Sequence, residues 1–135
     1  MFPDWETQET SVLVRSCKSP VVIVSIAIAV LSLLEAPYVS VAQQFSDKLL
    51  HSAGYMLLAV CAVWAIADAP MQRGVKYLLS GAYVVLFGGL IELLQAYCTE
   101  TRSGEWLDLA ADAVGALVGL GIVYVVGLIL LRYDI

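Results

Sequence analysis

The sequence predicts an all-α membrane protein with four transmembrane helices in a compact bundle. Its 135 residues are 61% hydrophobic and only 14% charged, whereas charged residues make up about a quarter of an ordinary soluble domain. A helix needs about 20 mostly apolar residues to cross the hydrocarbon core of a bilayer, so the chain has room for four crossings and short connections. Its apolar stretches are continuous, which excludes the alternating strands of about 10 residues that build a membrane barrel.

The first apolar segment covers residues 20–34 and follows an N-terminal tail, residues 1–19, that we expect in the cytoplasm. The tail lacks the basic start and adjoining apolar run of a signal peptide, so the first helix is expected to stay in the mature protein. The second segment covers residues 49–67, and the Asp-Ala-Pro sequence at residues 68–70 predicts a turn after it. These segments form the first predicted hairpin of a single domain, residues 20–135.

The third and fourth segments form the second predicted hairpin. The third begins near Val75 and continues to about Cys98, and the fourth begins at Trp106 or Leu107 and ends before Arg132. No internal repeat or low-complexity linker divides the four segments. The chain has three cysteines, an odd number at unrelated positions, which excludes a disulfide framework.

The basic residues predict the orientation of the chain, because Lys and Arg accumulate on the cytoplasmic side of membrane proteins. Of the seven, the five that lie on the side of the two termini are Arg15, Lys18, Arg73, Lys76 and Arg132. Lys48 and Arg102 lie on the opposite side. We therefore expect a multi-pass protein of the inner membrane with both termini in the cytoplasm. A net charge of -5 without a basic patch excludes nucleic acid as a partner.

Polar residues gather near the outer ends of the second, third and fourth helices. Residues three or four positions apart share a helix face, and Asp47, His51 and Tyr55 form one such stripe. The predicted outer cleft consists of Asp47, Lys48, His51, Glu92, Gln95, Arg102, Asp108 and Asp112. Glu92 and Asp112 lie more than a turn inside their helices, where a charge costs at least about 2.5 kcal/mol. This favours a functional cleft over an ion-paired network that only fixes helix register.

The residue types in the predicted cleft do not identify a single kind of chemistry. His51 and the carboxylates are ligand types that several divalent metals use, but the chain has one histidine and no HExxH spacing. We therefore favour a hydrogen-bonded His51 over a metal ligand, and expect no metal and no cofactor. No nucleophile triad or cofactor loop identifies a catalytic residue, so catalysis is left open.

Small residues predict where the helices pack closely. Ala111, Gly115 and Gly119 recur every four residues on the fourth helix, and Gly88 precedes Glu92 by four residues on the third. Such small-xxx-small stripes let helix backbones approach each other in a membrane. Contacts within one chain are favoured over dimerisation, because four helices already need close contact surfaces.

The ordered polar motifs resemble the VanZ-like family. They are a DKxxH sequence at residues 47–51, an ExxQ sequence at residues 92–95, and a run over residues 102–112 that leads into the small-residue helix. The similarity covers residues 46–119 and implies a small four-helix membrane protein, whose namesake is linked to glycopeptide resistance of the teicoplanin type. Asp112 stands where the family commonly has Asn, so this chain carries an additional acid in the cleft.

Two functions follow from the residues and the resemblance. The leading hypothesis is that the outer cleft binds or modifies the polar headgroup of a membrane lipid or of a lipid-linked cell-envelope precursor. Arg102 and Lys48 would contact phosphate, and the acids would bind hydroxyl or amide groups. The alternative is a non-enzymatic accessory subunit that packs through its glycine faces against a membrane protein partner in a larger complex. Proton or ion translocation is least favoured, because the acids stop at the outer half of the bundle.

Overall fold

The computed structural model describes residues 19–34, 41–100 and 106–133, and every regular element within these ranges is a helix. The helices are α1 (Ser19–Leu33), α2 (Val41–Ala65), α3 (Arg73–Cys98) and α4 (Trp106–Tyr133). The predicted all-α class is confirmed. The predicted cytoplasmic tail, apart from Ser19, lies outside the described residues.

Three of these helices are long and apolar enough to cross a membrane. The spanning segments are Ser46–Ala65 of α2, Arg73–Cys98 of α3 and Trp106–Leu130 of α4. The shorter α1 has 15 residues, a length of about 22 Å against a hydrocarbon core of about 30 Å. In the described part of the chain, three helices are thus suited to span a membrane and one further apolar helix is shorter, which indicates a membrane protein.

The largest difference from the predicted boundaries is at the start of α2. This helix begins at Val41, eight residues before the predicted start at Leu49, because its first two turns are polar but still helical. A hydropathy pattern locates the part of a helix that suits lipid, whereas the helix itself continues wherever its backbone hydrogen bonds do. The end of α3 at Cys98 and the start of α4 at Trp106 are where the sequence predicts them.

The most extensive helix contact joins α2 to α4. Gly115 and Gly119 of α4 lie directly against the α2 backbone. A Cβ on Gly115 would clash with the carbonyl oxygen of Ser52 and lie 3.0 Å from its Cα, and a Cβ on Gly119 would clash with the carbonyl oxygen of Met56. Only glycine fits at these two points. Both contacts advance in the same direction along the two helices, so α2 and α4 run parallel.

The core surrounds the middle of α2, where buried side chains of three helices meet. They are Tyr55, Leu58, Ala59 and Ala62 of α2, Val84 of α3 and Ala116 of α4. Many large apolar side chains point away from this core, including Leu78 and Leu86 of α3 and Leu117 of α4. Such outward apolar surfaces are expected of helices that face lipid.

The short helix α1 is held to α3 by two polar links. The hydroxyls of Ser25 and Tyr83 are 2.8 Å apart, and Nε2 of Gln95 donates a hydrogen bond of 2.8 Å to the carbonyl oxygen of Ser32. The Ser32 carbonyl lies in the last turn of α1, where carbonyl oxygens find no N–H donor within the helix. The Gln95 amide supplies this donor from α3. The order of the links shows that α1 and α3 run parallel.

Candidate functional site

Polar residues of three helices meet at one end of the bundle, where α2 begins, α3 ends and α4 begins. We call this the polar end, and we call His51, Tyr55, Glu92 and Asp112 the buried polar cluster. One nitrogen or oxygen atom of each of His51, Glu92 and Asp112 lies within 4.8 Å of the other two. Three groups that the sequence places on separate helices are thus neighbours in the fold.

The cluster lies inside the membrane-spanning part of each helix. His51 is five residues after the first residue of its spanning segment, Glu92 is six residues before the last, and Asp112 is six residues after the first. At 1.5 Å per residue, these positions are about 8–9 Å from the segment ends. Ionisable groups at such depth are rare and mark functional sites by default.

His51 lies between two carboxylates. Its Nδ1 is 3.4 Å from Oδ1 of Asp112, without the alignment of a hydrogen bond. Its Nε2 is 4.0 Å from Oδ2 of Asp47, one turn earlier on α2. The Asp47 side chain is 41% exposed and that of Asp112 is 4% exposed. A row of polar groups therefore leads from the accessible end of α2 into the bundle.

Asp112 and Tyr55 place polar atoms deep in the core. Within the described part of the chain, the two carboxylate oxygens of Asp112 and the hydroxyl of Tyr55 make no hydrogen bond. Gly88 of α3 provides the space that they share, since a Cβ there would lie 3.3 Å from Oδ2 of Asp112 and 3.2 Å from Cε1 of Tyr55. Burying a polar group without a hydrogen bond costs roughly 1–3 kcal/mol by mutational measures. A core needed only for packing would place apolar residues here.

An ion pair closes the polar end just outside the cluster. Nζ of Lys48 lies 2.5 Å from Oδ1 of Asp108, which joins α2 to α4 about one turn beyond the contact of His51 with Asp112. The sequence suggested Lys48 as a phosphate contact, but the structure places its ammonium group against a carboxylate. This pair fixes the parallel register of α2 and α4.

One predicted cleft residue makes its contact elsewhere, and another lies outside the described residues. Gln95 lies one turn from Glu92, but its amide nitrogen bonds to the carbonyl of Ser32 and so holds α1 in place. Arg102 lies outside the described residues. The residue that the predicted site left out is Tyr55, and its signal was available, since it follows His51 by four positions on the same helix face.

A separate apolar cavity of about 320 Å³ lies between α1, α2 and α3 toward the opposite end of the bundle. It is lined by Val21, Ala62, Ala65, Ile66, Leu79, Ser80 and Tyr83. No member of the buried polar cluster lines it. The polar chemistry and this cavity are therefore distinct features of the fold.

The charges at the polar end determine what it can bind. Five described acids lie there with one lysine and one histidine: they are Asp47, Glu92, Glu100, Asp108, Asp112, Lys48 and His51. Carboxylates accept hydrogen bonds from hydroxyl, amide and ammonium groups, and together with an imidazole they can hold a divalent cation. The described part of the site is thus suited to ligand groups that donate hydrogen bonds or carry positive charge.

Comparison with known proteins finds no matching family model, no matching curated protein and no matching solved structure. The VanZ-like resemblance therefore stays a prediction that depends on the polar motifs of the sequence.

Proposed function

We propose that this chain is an integral membrane protein that binds or modifies the polar headgroup of a membrane lipid or lipid-linked cell-envelope precursor at the buried polar cluster. The observation that supports this function is the Asp112 carboxylate, which is buried among three helices 3.4 Å from the His51 imidazole but without a hydrogen bond from the described residues. Buried charges are normally paired and hydrogen-bonded. A ligand that donates hydrogen bonds would satisfy this group.

The chemistry of the cluster specifies the kind of headgroup. Hydroxyl, amide or ammonium groups would donate to Asp112 and Glu92, and the Tyr55 hydroxyl could donate to a phosphate or carbonyl oxygen. Because Lys48 pairs with Asp108, the phosphate contact in this proposal is assigned chiefly to Arg102. A modification step would use the imidazole and carboxylates as acid and base.

The proposed topology has α1 as a fourth crossing, both termini in the cytoplasm, and the polar end at the outer face of the inner membrane. The distribution of Lys and Arg supports this orientation. The parallel direction of α1 and α3 supports the fourth crossing, because alternate helices of an up-and-down bundle run the same way. An outward site agrees with a VanZ-like role in the cell envelope, including teicoplanin-type glycopeptide resistance.

The native thiol of Cys98 offers a test of this orientation, since it is exposed at the polar end. In a variant carrying Cys17→Ser and Cys61→Ala, an impermeant thiol reagent is expected to label Cys98 in whole cells. The matched control replaces all three cysteines and carries Gln72→Cys in the turn between α2 and α3. It should be labelled only after the cells are opened. The reverse pattern would place the polar end in the cytoplasm.

Headgroup binding is tested by the lipid that purifies with the protein. Glu92→Gln keeps the side-chain shape and removes the charge, so we expect a folded protein that retains at least about tenfold less bound lipid, since a hydrogen bond to a charged group contributes about 1.5–3 kcal/mol. Native mass spectrometry measures the lipid, and thermal melting in detergent measures the fold. The control is Asp68→Asn, which removes an exposed acid at the opposite end. Unchanged lipid with a large loss of stability would instead indicate a purely structural network.

The accessory-subunit alternative depends on glycine faces that are open to a partner. Gly88, Gly115 and Gly119 all face residues of the same chain. Their stripes are therefore used in the fold itself, which supports a binding protein over an accessory subunit. A monodisperse chain with bound envelope lipid on isolation is expected, and instability without a co-purifying protein would favour the alternative.

A further inference from the structure

Three side chains of the buried polar cluster have the separation of metal ligands. His51, Glu92 and Asp112 each offer one ligand atom within 4.8 Å of the others, and Nδ1 of His51 is 3.4 Å from Oδ1 of Asp112. Ligands about 2.0–2.1 Å from a tetrahedral ion are about 3.3–3.4 Å apart. The histidine and Asp112 are thus spaced as two ligands of one ion, and a carboxylate oxygen of Glu92 lies within 4.8 Å of both ligand atoms.

Asp47 lies near the second ring nitrogen of His51, where metal-binding histidines usually have a hydrogen-bond acceptor. Oδ2 of Asp47 lies 4.0 Å from Nε2, the ring nitrogen that does not face Asp112. A ligating histidine almost always donates its second N–H to a carboxylate, carbonyl or water, which fixes the ring and raises its basicity. At 4.0 Å the Asp47 carboxylate is within ion-pair distance but beyond a hydrogen bond, so a small movement of its side chain would be needed to orient the imidazole in this way.

A second observation, on Tyr55, points to the same place. This side chain is 1% exposed, and its hydroxyl has no hydrogen bond within the described residues. Its ring and the Asp112 carboxylate both lie beside the bare backbone of Gly88. A water or ligand oxygen held by an ion beside Asp112 would give the hydroxyl the hydrogen-bond partner that buried polar groups require.

We propose that His51, Glu92 and Asp112 bind a divalent transition-metal ion, such as Zn²⁺ or Mn²⁺, inside the membrane. The single histidine and the missing HExxH spacing argue against ligands from one helix, whereas here three helices contribute one ligand each. Two carboxylates and a neutral imidazole match the charge of the ion, which offsets the cost of burying two acids. If headgroup binding holds, the ion also gives this acidic site a Lewis-acid centre for a phosphate oxygen.

The test is a Co²⁺ titration of the purified full-length protein after treatment with a chelator. We expect about one equivalent to bind, with the visible absorption bands of Co²⁺ on nitrogen and oxygen ligands, and Zn²⁺ should displace it. His51→Ala and Asp112→Asn are expected to abolish this signal. Asp47→Asn should weaken binding about 10–100-fold, as expected of a group that orients a ligand.

The control is a variant in which all three cysteines are replaced, which should bind the ion as the natural chain does. Circular dichroism shows whether each variant is folded. A natural chain that takes up no Co²⁺, Zn²⁺ or Mn²⁺ would overturn the site, and so would unchanged binding in His51→Ala and Asp112→Asn. No lipid enters the titration, so a chain that binds lipid but no metal overturns the metal site alone.

Discussion

Replacing Gly115 by alanine is expected to destabilise the protein by about 3 kcal/mol or more, at the upper end of overpacking effects. In a helix this substitution normally stabilises by about 1 kcal/mol. Here the new Cβ would clash with the Ser52 carbonyl, which belongs to a neighbouring helix backbone and cannot rotate aside. The helices would have to separate along their most extensive contact. Denaturation of the purified protein in detergent and its accumulation in membranes measure the effect.

Other glycines provide matched controls for this prediction. Gly121 lies on the same helix, and a Cβ added there would have no neighbouring atom within 4 Å, so Gly121→Ala should be neutral or slightly stabilising. Gly119→Ala should behave like Gly115→Ala, because it meets the Met56 carbonyl. Equal stability of the Gly115 and Gly121 variants would show that the contact between α2 and α4 is wrong.

Replacing Lys48 by methionine is expected to lower stability by roughly 1.5–3 kcal/mol, the range for hydrogen bonds to charged groups. The Asp108 side chain is only 16% exposed and lies 2.5 Å from the lysine nitrogen. Without the ammonium group, this carboxylate stays near the membrane interior with its main cation removed. Thermal melting in detergent measures the loss.

A double-mutant cycle separates this ion pair from general effects of charge. Asp108→Asn added to Lys48→Met should restore much of the lost stability, since no charge is then left behind. Arg73→Met removes an exposed cation at the other end of the bundle and should change little. Independent, additive effects of the Lys48 and Asp108 substitutions would mean that the two side chains do not interact.

The sequence predicts most of the helices because lipid demands continuous apolar segments. The end of α3 and the start of α4 coincide with abrupt changes in hydropathy, so both are predicted correctly. The start of α2 is missed, because its first turns are polar and only its backbone shows that they are helical. The bounds of α1 are predicted to within one residue, but a 15-residue apolar helix does not by itself establish the predicted fourth crossing.

For the site, helix periodicity predicts which residues share a face of one helix. Spacing places Asp47, His51 and Tyr55 on one face, but it does not set the rotation of that face toward α3 and α4. The pairing of Lys48 with Asp108 depends on that rotation, and the bond of Gln95 to α1 depends likewise on the rotation of α3. The proximity of residues on different helices therefore required the folded structure.

The contact of α2 with α4 cannot form during synthesis until both helices have been made. Lys48 and Asp108 are 60 residues apart in the chain, so at about 5–20 residues per second the ribosome delivers α4 roughly 3–12 s after α2. During that interval α2, with its polar first turns, resides in the insertion machinery or the bilayer before its partner exists. Of these two helices, α4 is made later and completes the contact, and a nascent chain released before α4 would display the charges of α2 to lipid and to membrane proteases.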